Sequence, residues 1–201
     1  MAPGQAAGAP RPQRADARRN RDAILLAARE IFETEGVLAS LDGIALRAGV
    51  GNATLYRNFP TREDLLAAVM DTSIDLAQAE AEALAHDYSP RAALAEWLVR
   101  LTWRLRIWHD LPYCVASAHD APGSSMNPAI SRLVKLTADL LDRAKDSGDA
   151  VGAVEAGEVF ELVTALSWAV DRFGDGEAAA RRRVEVATAG LFHSCRQGLS
   201  A

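Results

Sequence analysis

Residues Ser40 to Leu66 have the sequence SLDGIALRAGVGNATLYRNFPTREDLL, which contains the clearest structural signals of this chain. Ser40 is a favourable N-cap for a short helix over about residues 41–48, because its hydroxyl can accept a hydrogen bond from a free backbone amide. Gly49 interrupts that helix, and a second short helix is predicted over about residues 52–58. Two short helices joined by a glycine-containing turn are typical of a helix-turn-helix.

The residue types within this stretch suit such a unit. Ala45 is small where the two helices must cross, and Gly49 supplies the backbone freedom of the turn. A small apolar core that fixes the angle between the helices is predicted from Ile44, Ala48, Val50 and Leu55. Held at that angle, the second helix can enter the major groove of DNA.

Apolar residues recur at helical spacing on both sides of this stretch, and no alternating strand pattern with hairpin signals appears. The predicted fold is all-α, with an N-terminal three-helix head that contains the helix-turn-helix and a C-terminal helical body for ligand binding and dimerisation. Residues 1–14 are predicted to be a flexible tail, 15–62 the DNA-binding domain and 63–201 the body. About nine helices are expected, over residues 15–35, 41–48, 52–58, 61–85, 90–110, 111–120, 128–147, 155–172 and 177–198.

Charge is unevenly distributed along the chain, whose net charge is −5. Residues 1–21 contain five arginines and a single acidic residue, whereas the residues from Leu65 onward carry 13 basic and 19 acidic side chains. A basic end joined to an acidic body indicates that only the N-terminal end meets a polyanion. Two widely separated cysteines, no secretory signal and no long apolar run favour a cytoplasmic protein.

The string Thr54-Leu55-Tyr56-Arg57-Asn58-Phe59, followed by Pro60-Thr61-Arg62-Glu63-Asp64-Leu65, closely resembles the DNA-binding domain of the TetR family. The resemblance is strong over about residues 18–70 and further on rests on helix count and order. It implies a ligand-responsive repressor that binds a near-palindromic operator in double-stranded DNA as a homodimer, with a small-molecule effector and no cofactor. The resemblance and the basic charge together give the candidate DNA contacts Arg18, Arg19, Ser40, Asn52, Ala53, Thr54, Tyr56, Arg57, Asn58 and Arg62.

Each matching position carries an implied role. Tyr56 resembles a residue that contacts a phosphate, and Asn52 and Ala53 lie at the helix start, where base edges are reached. Asp42 departs from the pattern, because some family members place a polar or basic DNA contact there and a carboxylate would repel phosphate. The arginine-rich N-terminal stretch either is a solvated tail or reaches along the minor groove or the phosphates. Arg18, Arg19 and Arg21 are close enough to the domain for the second role, whereas Arg11 and Arg14 would add only non-specific attraction.

The predicted fifth helix is apolar on nearly two faces, so it is expected to lie centrally in the body. The resemblance implies a ligand pocket around it, lined by Trp97, Leu101, Arg104, Trp108, Tyr113 and Trp168. Core packing is the alternative for each tryptophan. Arg104 needs either an acidic partner within the protein or an anionic group of a ligand.

Helices eight and nine resemble the family's four-helix dimer interface, although the inner core of a monomer would give a similar pattern. Small and apolar residues on one face of each helix would allow a second copy to approach closely. The predicted interface residues are Phe160, Val163, Val184, Ala187, Thr188, Leu191 and Cys195.

A small enzyme or an interaction module is the alternative to a regulator. Cys114, His119 and Asp120 lie close together in sequence and could be imagined as a nucleophile with its base or as a metal site. Their spacing matches no recognised motif. We therefore predict no catalytic residue, no metal site and no enzymatic activity.

Overall fold

The computed structural model describes residues 11–106, 108–119, 121 and 123–193. Within these ranges the chain forms nine α-helices and one short 3-10 turn, which confirms the all-α prediction. The helices are α1 (Arg11–Glu35), α2 (Leu41–Arg47), α3 (Asn52–Asn58), α4 (Arg62–Asp87), α5 (Pro90–Leu105), α6 (Leu111–His119), α7 (Asn127–Asp146), α8 (Ala156–Phe173) and α9 (Glu177–Ala187), and the 3-10 turn is Ala189–Leu191.

Helix α1 is longer than predicted, because it begins at Arg11 within the expected tail. The predicted tail was therefore wrong for residues 11–14, and residues 1–10 lie outside the described part of the chain. The backbone N–H groups in the first turn of a helix have no partner within the helix, so proline, which has no N–H, is tolerated there. Pro12 is therefore compatible with a helix that begins at Arg11.

Two helices end earlier than predicted. Helix α5 ends at Leu105 rather than near Asp110, and Asp110 has a φ of 64°, a left-handed conformation that a helix does not continue through. Helix α9 ends at Ala187 rather than at residue 198, and the chain turns back so that Ala150 and Phe192 form an isolated antiparallel bridge. The amphipathic pattern continues past both ends, which is why the sequence-based prediction placed both helix ends too far along the chain.

The head is a three-helix unit packed around its own apolar core. Ser40 caps α2 by accepting a hydrogen bond from the amide of Gly43 at 3.4 Å, and Gly49, with a φ of 68°, makes the turn between α2 and α3. Side chains from α1, α2 and α3 close the core: Ile24, Ala28, Phe32, Ile44, Ala45, Leu55 and Phe59 are all buried.

The body is arranged around α5, as its two apolar faces predicted. Helices α4, α7, α8 and α9 all pack against it. Trp97 on α5 is completely buried, and its indole Nε1 donates a hydrogen bond of 3.0 Å to the Thr137 hydroxyl on α7. This bond satisfies the polar atom of a large core residue and so fixes α5 against α7.

The head and the body meet where the loop after α1 approaches the loop after α5. The amide of Val37 donates to the carbonyl of His109 at 3.0 Å, and the His109 ring lies 3.0 Å from an Asp171 carboxylate oxygen at the end of α8. Gly36 has a φ of 85°, and a Cβ at this position would lie 3.1 Å from both the carbonyl oxygen and the Cβ of His109. Gly36 is therefore required for its backbone conformation and for the close approach of the two parts.

Replacing Gly36 with alanine is expected to destabilise the protein more than replacing Gly49 with alanine. Both positions have positive φ, so each substitution should cost about 1–2 kcal/mol of backbone strain. Only Gly36→Ala adds a methyl group against His109, since nothing lies within 4 Å of a Cβ at Gly49. Urea unfolding of both variants measures the difference, and equal losses would show that the junction has room to adjust.

None of the helices described here is long and apolar enough to cross a membrane.

Candidate nucleic-acid interface

Helix α3 presents one exposed face to solvent and one buried face to the head. Leu55 and Phe59 are buried in the core, whereas Asn52, Ala53 and Tyr56 are exposed. Tyr56 retains 45% of its accessible surface, which is high for so large a side chain. The residues predicted to reach DNA from the start of α3 therefore lie together on its free surface.

Hydrogen bonds within the head fix the polar side chains of α3. The Asn52 amide donates to an Asp42 carboxylate oxygen at 2.8 Å, and the Arg57 guanidinium donates to the Thr54 hydroxyl at 3.0 Å. The Asn58 amide nitrogen donates to the carbonyl of Thr54 at 2.8 Å, so this group is occupied within α3. If Asn58 contacts DNA as predicted, its amide nitrogen must either keep this bond and donate its second hydrogen or give the bond up.

Arg62 takes part in a contact that the sequence did not indicate. Its guanidinium donates to the carbonyl of Val37 at 2.6 Å and is partly buried. Arg62 thus connects the start of α4 to the loop between α1 and α2. The contact predicted between Arg62 and the DNA backbone would therefore use the guanidinium N–H groups that do not bond Val37.

The start of α4 is fastened on both sides. Thr61 and Asp64 form a reciprocal capping box, and Ser125 in the loop before α7 donates to the Asp64 carboxylate. The hydrogen bonds from Ser125 and then from Thr61 hold the pKa of Asp64 below its usual value. Ser124 donates to Glu63 at 2.7 Å, so the first turn of α4 is tied to the body as well as to the head.

Arg18 and Arg19 lie on α1 and not on an extended arm. Both side chains are highly exposed, with Arg18 4.0 Å from Asp22 and Arg19 paired with Asp16. Exposed pairs of this kind contribute little to stability and exchange readily with other anions. Arg21, which the sequence grouped with them as a possible contact of the arm, stacks over the Phe59 ring at 4.5 Å and connects α1 to the end of α3.

The predicted ligand-site residues do not form one site, which corrects the sequence-based assignment. Trp97, Leu101 and Trp108 are buried side chains of the core, and none of them lines a described cavity. The predicted core-packing alternative therefore holds for both tryptophans. The Trp108 ring packs against Phe32 of the head at a centroid distance of 5.8 Å.

Arg104 has its partner within the protein. Its guanidinium lies 2.7 Å from Glu80 of α4 and donates to the carbonyl of Ser73 at 3.0 Å. Glu80 also accepts from Arg100, and Glu96 accepts from Arg100 and Arg181, so one network of ion pairs joins α4, α5 and α9. Arg181, then Arg100, hold the pKa of Glu96 below its usual value, so this carboxylate remains charged within the network. The charge of Arg104 therefore needs no anionic ligand.

Tyr113 and Trp168 do come together, in a cavity of about 510 Å³ between α6 and α8. Both side chains are about half exposed, and His119 and Glu161 contribute the polar part of the lining. A second cavity of about 620 Å³ lies against the ion-pair network of α4, α5 and α9 and is lined by Arg104. The α6–α8 cavity has the mixed aromatic and polar character of a small-molecule site.

The predicted dimer residues point mostly into the chain's own core. Phe160, Val163 and Val184 are buried in the chain's own core, which corrects that part of the prediction. Thr188 and Leu191 are largely buried but line a surface pocket together with Ala187 and Leu162, so their place in a dimer interface stays a prediction. Ala187 is exposed, and Cys195 lies outside the described residues. The outer faces of α8 and α9 also carry exposed apolar side chains that sequence reasoning missed: Leu162, Phe173 and Val186.

The residues of the enzyme alternative do not form a reactive centre. Burial raises the pKa of the Cys114 thiol, which is the opposite of what a nucleophilic cysteine needs. His119 lies 3.6 Å from Glu161 and packs against Phe160, and Asp120 lies outside the described residues. In the part of the chain that the structure describes, no group of three histidine, cysteine or acidic side chains could hold a metal ion.

Two family models match the chain. Residues 89–193 match the model described as "Transcriptional regulator SbtR-like, C-terminal domain", and residues 24–69 match "Bacterial regulatory proteins, tetR family". The first match covers more than half of the chain, and the second contains the whole helix-turn-helix. Both models describe transcriptional regulators, so the enzyme alternative is not supported.

Individual relatives agree with these matches. An HTH-type transcriptional regulator of Staphylococcus aureus is 36% identical over 76 residues, which make up 37% of this chain and 41% of the relative. The match thus spans about two fifths of the length of such curated relatives. A TetR transcriptional regulator from Streptomyces coelicolor has a solved structure that is 27% identical, with a TM-score of 0.58 over 87% of this chain and 99% of that one.

A further solved structure shares the fold. A TetR-family transcriptional regulator from a Rhodococcus species gives a TM-score of 0.60 at 21% identity, over 88% of this chain and 100% of that one. The order of the helices, the exposed face of α3 and the two family matches lead to the same result: this chain belongs to the TetR family of helix-turn-helix transcriptional regulators.

Proposed function

We propose that this protein is a ligand-responsive repressor that binds a near-palindromic operator as a homodimer. The observation that carries the proposal is α3, whose start presents Asn52, Ala53 and Tyr56 to solvent while Leu55 and Phe59 hold the helix in the head. One helix of seven residues reads few base pairs. Two copies related by a twofold axis would place their recognition helices about 34–36 Å apart, one turn of DNA, or a multiple of it.

The second copy would bind the outer faces of α8 and α9. Leu162, Phe173 and Val186 there are 40%, 67% and 73% exposed. Exposed apolar groups of this size on neighbouring helices favour a protein interface over free solvent. The partner's helices would pack against them in place of the buried residues that the sequence first suggested.

The effector would bind in the cavity between α6 and α8. Its volume of about 510 Å³ suits a small organic molecule, and Tyr113 and Trp168 offer aromatic surfaces for stacking. Asp171 in the last turn of α8 also contacts His109 at the junction with the head. A ligand that shifts α8 would therefore change the position of the head. The ligand can shift the equilibrium between the DNA-binding conformation and the ligand-bound conformation only by the difference in its affinity for the two.

The domain boundary and the cellular location follow from this function. Residues 15–62 would form the DNA-binding head and residues 63–201 the body, a division supported by the two family models, which cover residues 24–69 and 89–193. A regulator that acts on chromosomal DNA works where that DNA lies, so we propose a cytoplasmic location.

Tyr56→Phe is expected to weaken binding to all DNA sequences by a similar factor, about five- to tenfold. The change removes one hydroxyl that would donate to a phosphate, and a phosphate contact carries no sequence information. Titration of operator and unrelated DNA at one salt concentration measures both losses. Tyr88→Phe, an exposed tyrosine at the end of α4, is the matched control and should change neither affinity. An altered preference at a single base would contradict the phosphate role of Tyr56.

A further inference from the structure

Asp42 occupies a place where a negative charge opposes DNA binding. It lies in the first turn of α2, on the same side of the head as the start of α3, and its side chain is exposed. A carboxylate this close to the candidate interface lowers the affinity for a polyanion. Its only described side-chain hydrogen bond is to Asn52, the first residue of α3, at 2.8 Å.

This hydrogen bond determines which way the Asn52 amide faces. A carboxylate has only acceptor atoms, whereas an asparagine amide has a donor end and an acceptor end. The NH2 group must therefore face Asp42, because the reversed amide would place two acceptors against each other. The Asn52 Oδ1 is then the end that is turned away from Asp42.

The orientation of the amide has a consequence for base recognition. In the major groove adenine and cytosine each present an exocyclic amino donor, while guanine and thymine present a keto oxygen at the corresponding position. A hydrogen-bond acceptor fixed at the start of a recognition helix therefore pairs with adenine or cytosine and not with guanine or thymine.

We propose that Asp42 is a positioning residue for sequence recognition, which holds Asn52 so that its Oδ1 selects a base with an exocyclic amino group. This inference rests on the proposed DNA-binding function. Asp42 does not touch the base and acts only through Asn52. Its negative charge lowers the affinity for all DNA, while its hydrogen bond to Asn52 raises the selectivity at one base position.

The test compares Asp42→Asn with the unaltered protein by selection from a random pool of duplex DNA. Asparagine has nearly the shape of aspartate but can both donate and accept, so it no longer forces one orientation of the Asn52 amide. We expect the wild-type protein to enrich adenine or cytosine at one position in each half-site. In Asp42→Asn that preference over guanine and thymine should fall about tenfold, while affinity for unrelated DNA rises.

Two controls separate orientation from charge. Asp22→Asn removes one negative charge from α1 of the head, where the carboxylate lies 4.0 Å from Arg18, and it should raise general affinity without changing any base preference. In an Asn52→Ala background the base preference should already be lost, and Asp42→Asn should not change the profile further. Thermal unfolding checks that the variants fold, which is expected because Asp42 is exposed.

The outcomes are distinguishable. If the wild-type protein enriches a site and Asp42→Asn gives the same base profile, the positioning role is overturned and the proposed function stands. If the wild-type site carries guanine or thymine at the position that Asn52→Ala relaxes, the orientation argument is overturned as well. If the wild-type protein enriches no site, the proposed function itself fails and the inference fails with it.

Discussion

Replacing Trp97 with alanine is expected to lower the free energy of unfolding by about 3–5 kcal/mol, the usual cost of deleting a large aromatic side chain from a core. Trp97 is completely buried on α5, and its indole N–H donates a hydrogen bond to the buried Thr137 hydroxyl of α7. The substitution leaves a cavity and removes this hydrogen bond. Urea unfolding followed by circular dichroism measures the loss.

Trp103→Ala on the same helix is the matched control. Trp103 is only partly buried and stacks beneath the Arg106 guanidinium at 4.1 Å, so its removal should cost clearly less. Similar losses for the two variants would contradict the core role of Trp97. A Trp97→Ala protein of normal stability that had lost its response to an effector would restore the ligand role that the sequence first suggested.

Placing charges on the outer face of α8 is expected to dissociate the proposed dimer and to weaken operator binding by about 10²–10⁴-fold. Leu162→Glu and Phe173→Glu together would bury two carboxylates without partners in the interface. A dimer gains this factor because the second half-site binds at a high effective concentration once the first is bound. Sedimentation equilibrium and operator titration measure the two losses.

Leu76→Glu on α4 is the control for this experiment. Leu76 is 62% exposed but lies on another helix, so the same substitution should leave both the dimer and the operator affinity unchanged. A doubly substituted protein that remained dimeric would show that the outer face of α8 is not the interface. Full operator affinity in a protein shown to be monomeric would contradict the need for two copies.

The helix-turn-helix could be predicted from sequence because its determinants are local. Ser40 caps α2 as expected and Thr61 caps α4 in the same way, each through the amide three residues further along the chain. Gly49 has the left-handed conformation that the turn needs. Interactions of this range depend on residue type and spacing alone, so they can be recognised without the rest of the fold.

The ligand and dimer residues could not be placed in the same way. Arg104 pairs with Glu80, 24 residues earlier and on another helix, and no spacing rule connects the two. The pattern of α8 indicated an apolar face that could serve either a dimer interface or the chain's own core. It did not indicate that Phe160 and Val163 pack into that core while Leu162 is exposed. Periodicity shows that a helix has an apolar side, but only tertiary packing decides which element covers it.

Contacts that cross between head and body were equally hidden from sequence. The bond between Val37 and His109 joins residues far apart in the chain and involves two backbone groups, so no side-chain type signals it. Asp42 was interpreted only as a charge that opposes DNA, because its bond to Asn52 depends on how α2 crosses α3.

Selection of duplexes from a random pool shows whether this chain reads a specific DNA site as a dimer. We expect enrichment of a near-palindrome whose half-site centres lie about 10–10.5 base pairs apart, or a multiple of that spacing. The enriched duplex should bind two copies of the chain with far higher affinity than unrelated DNA. Retention of all sequences alike, or of a single asymmetric half-site by one copy, would contradict it.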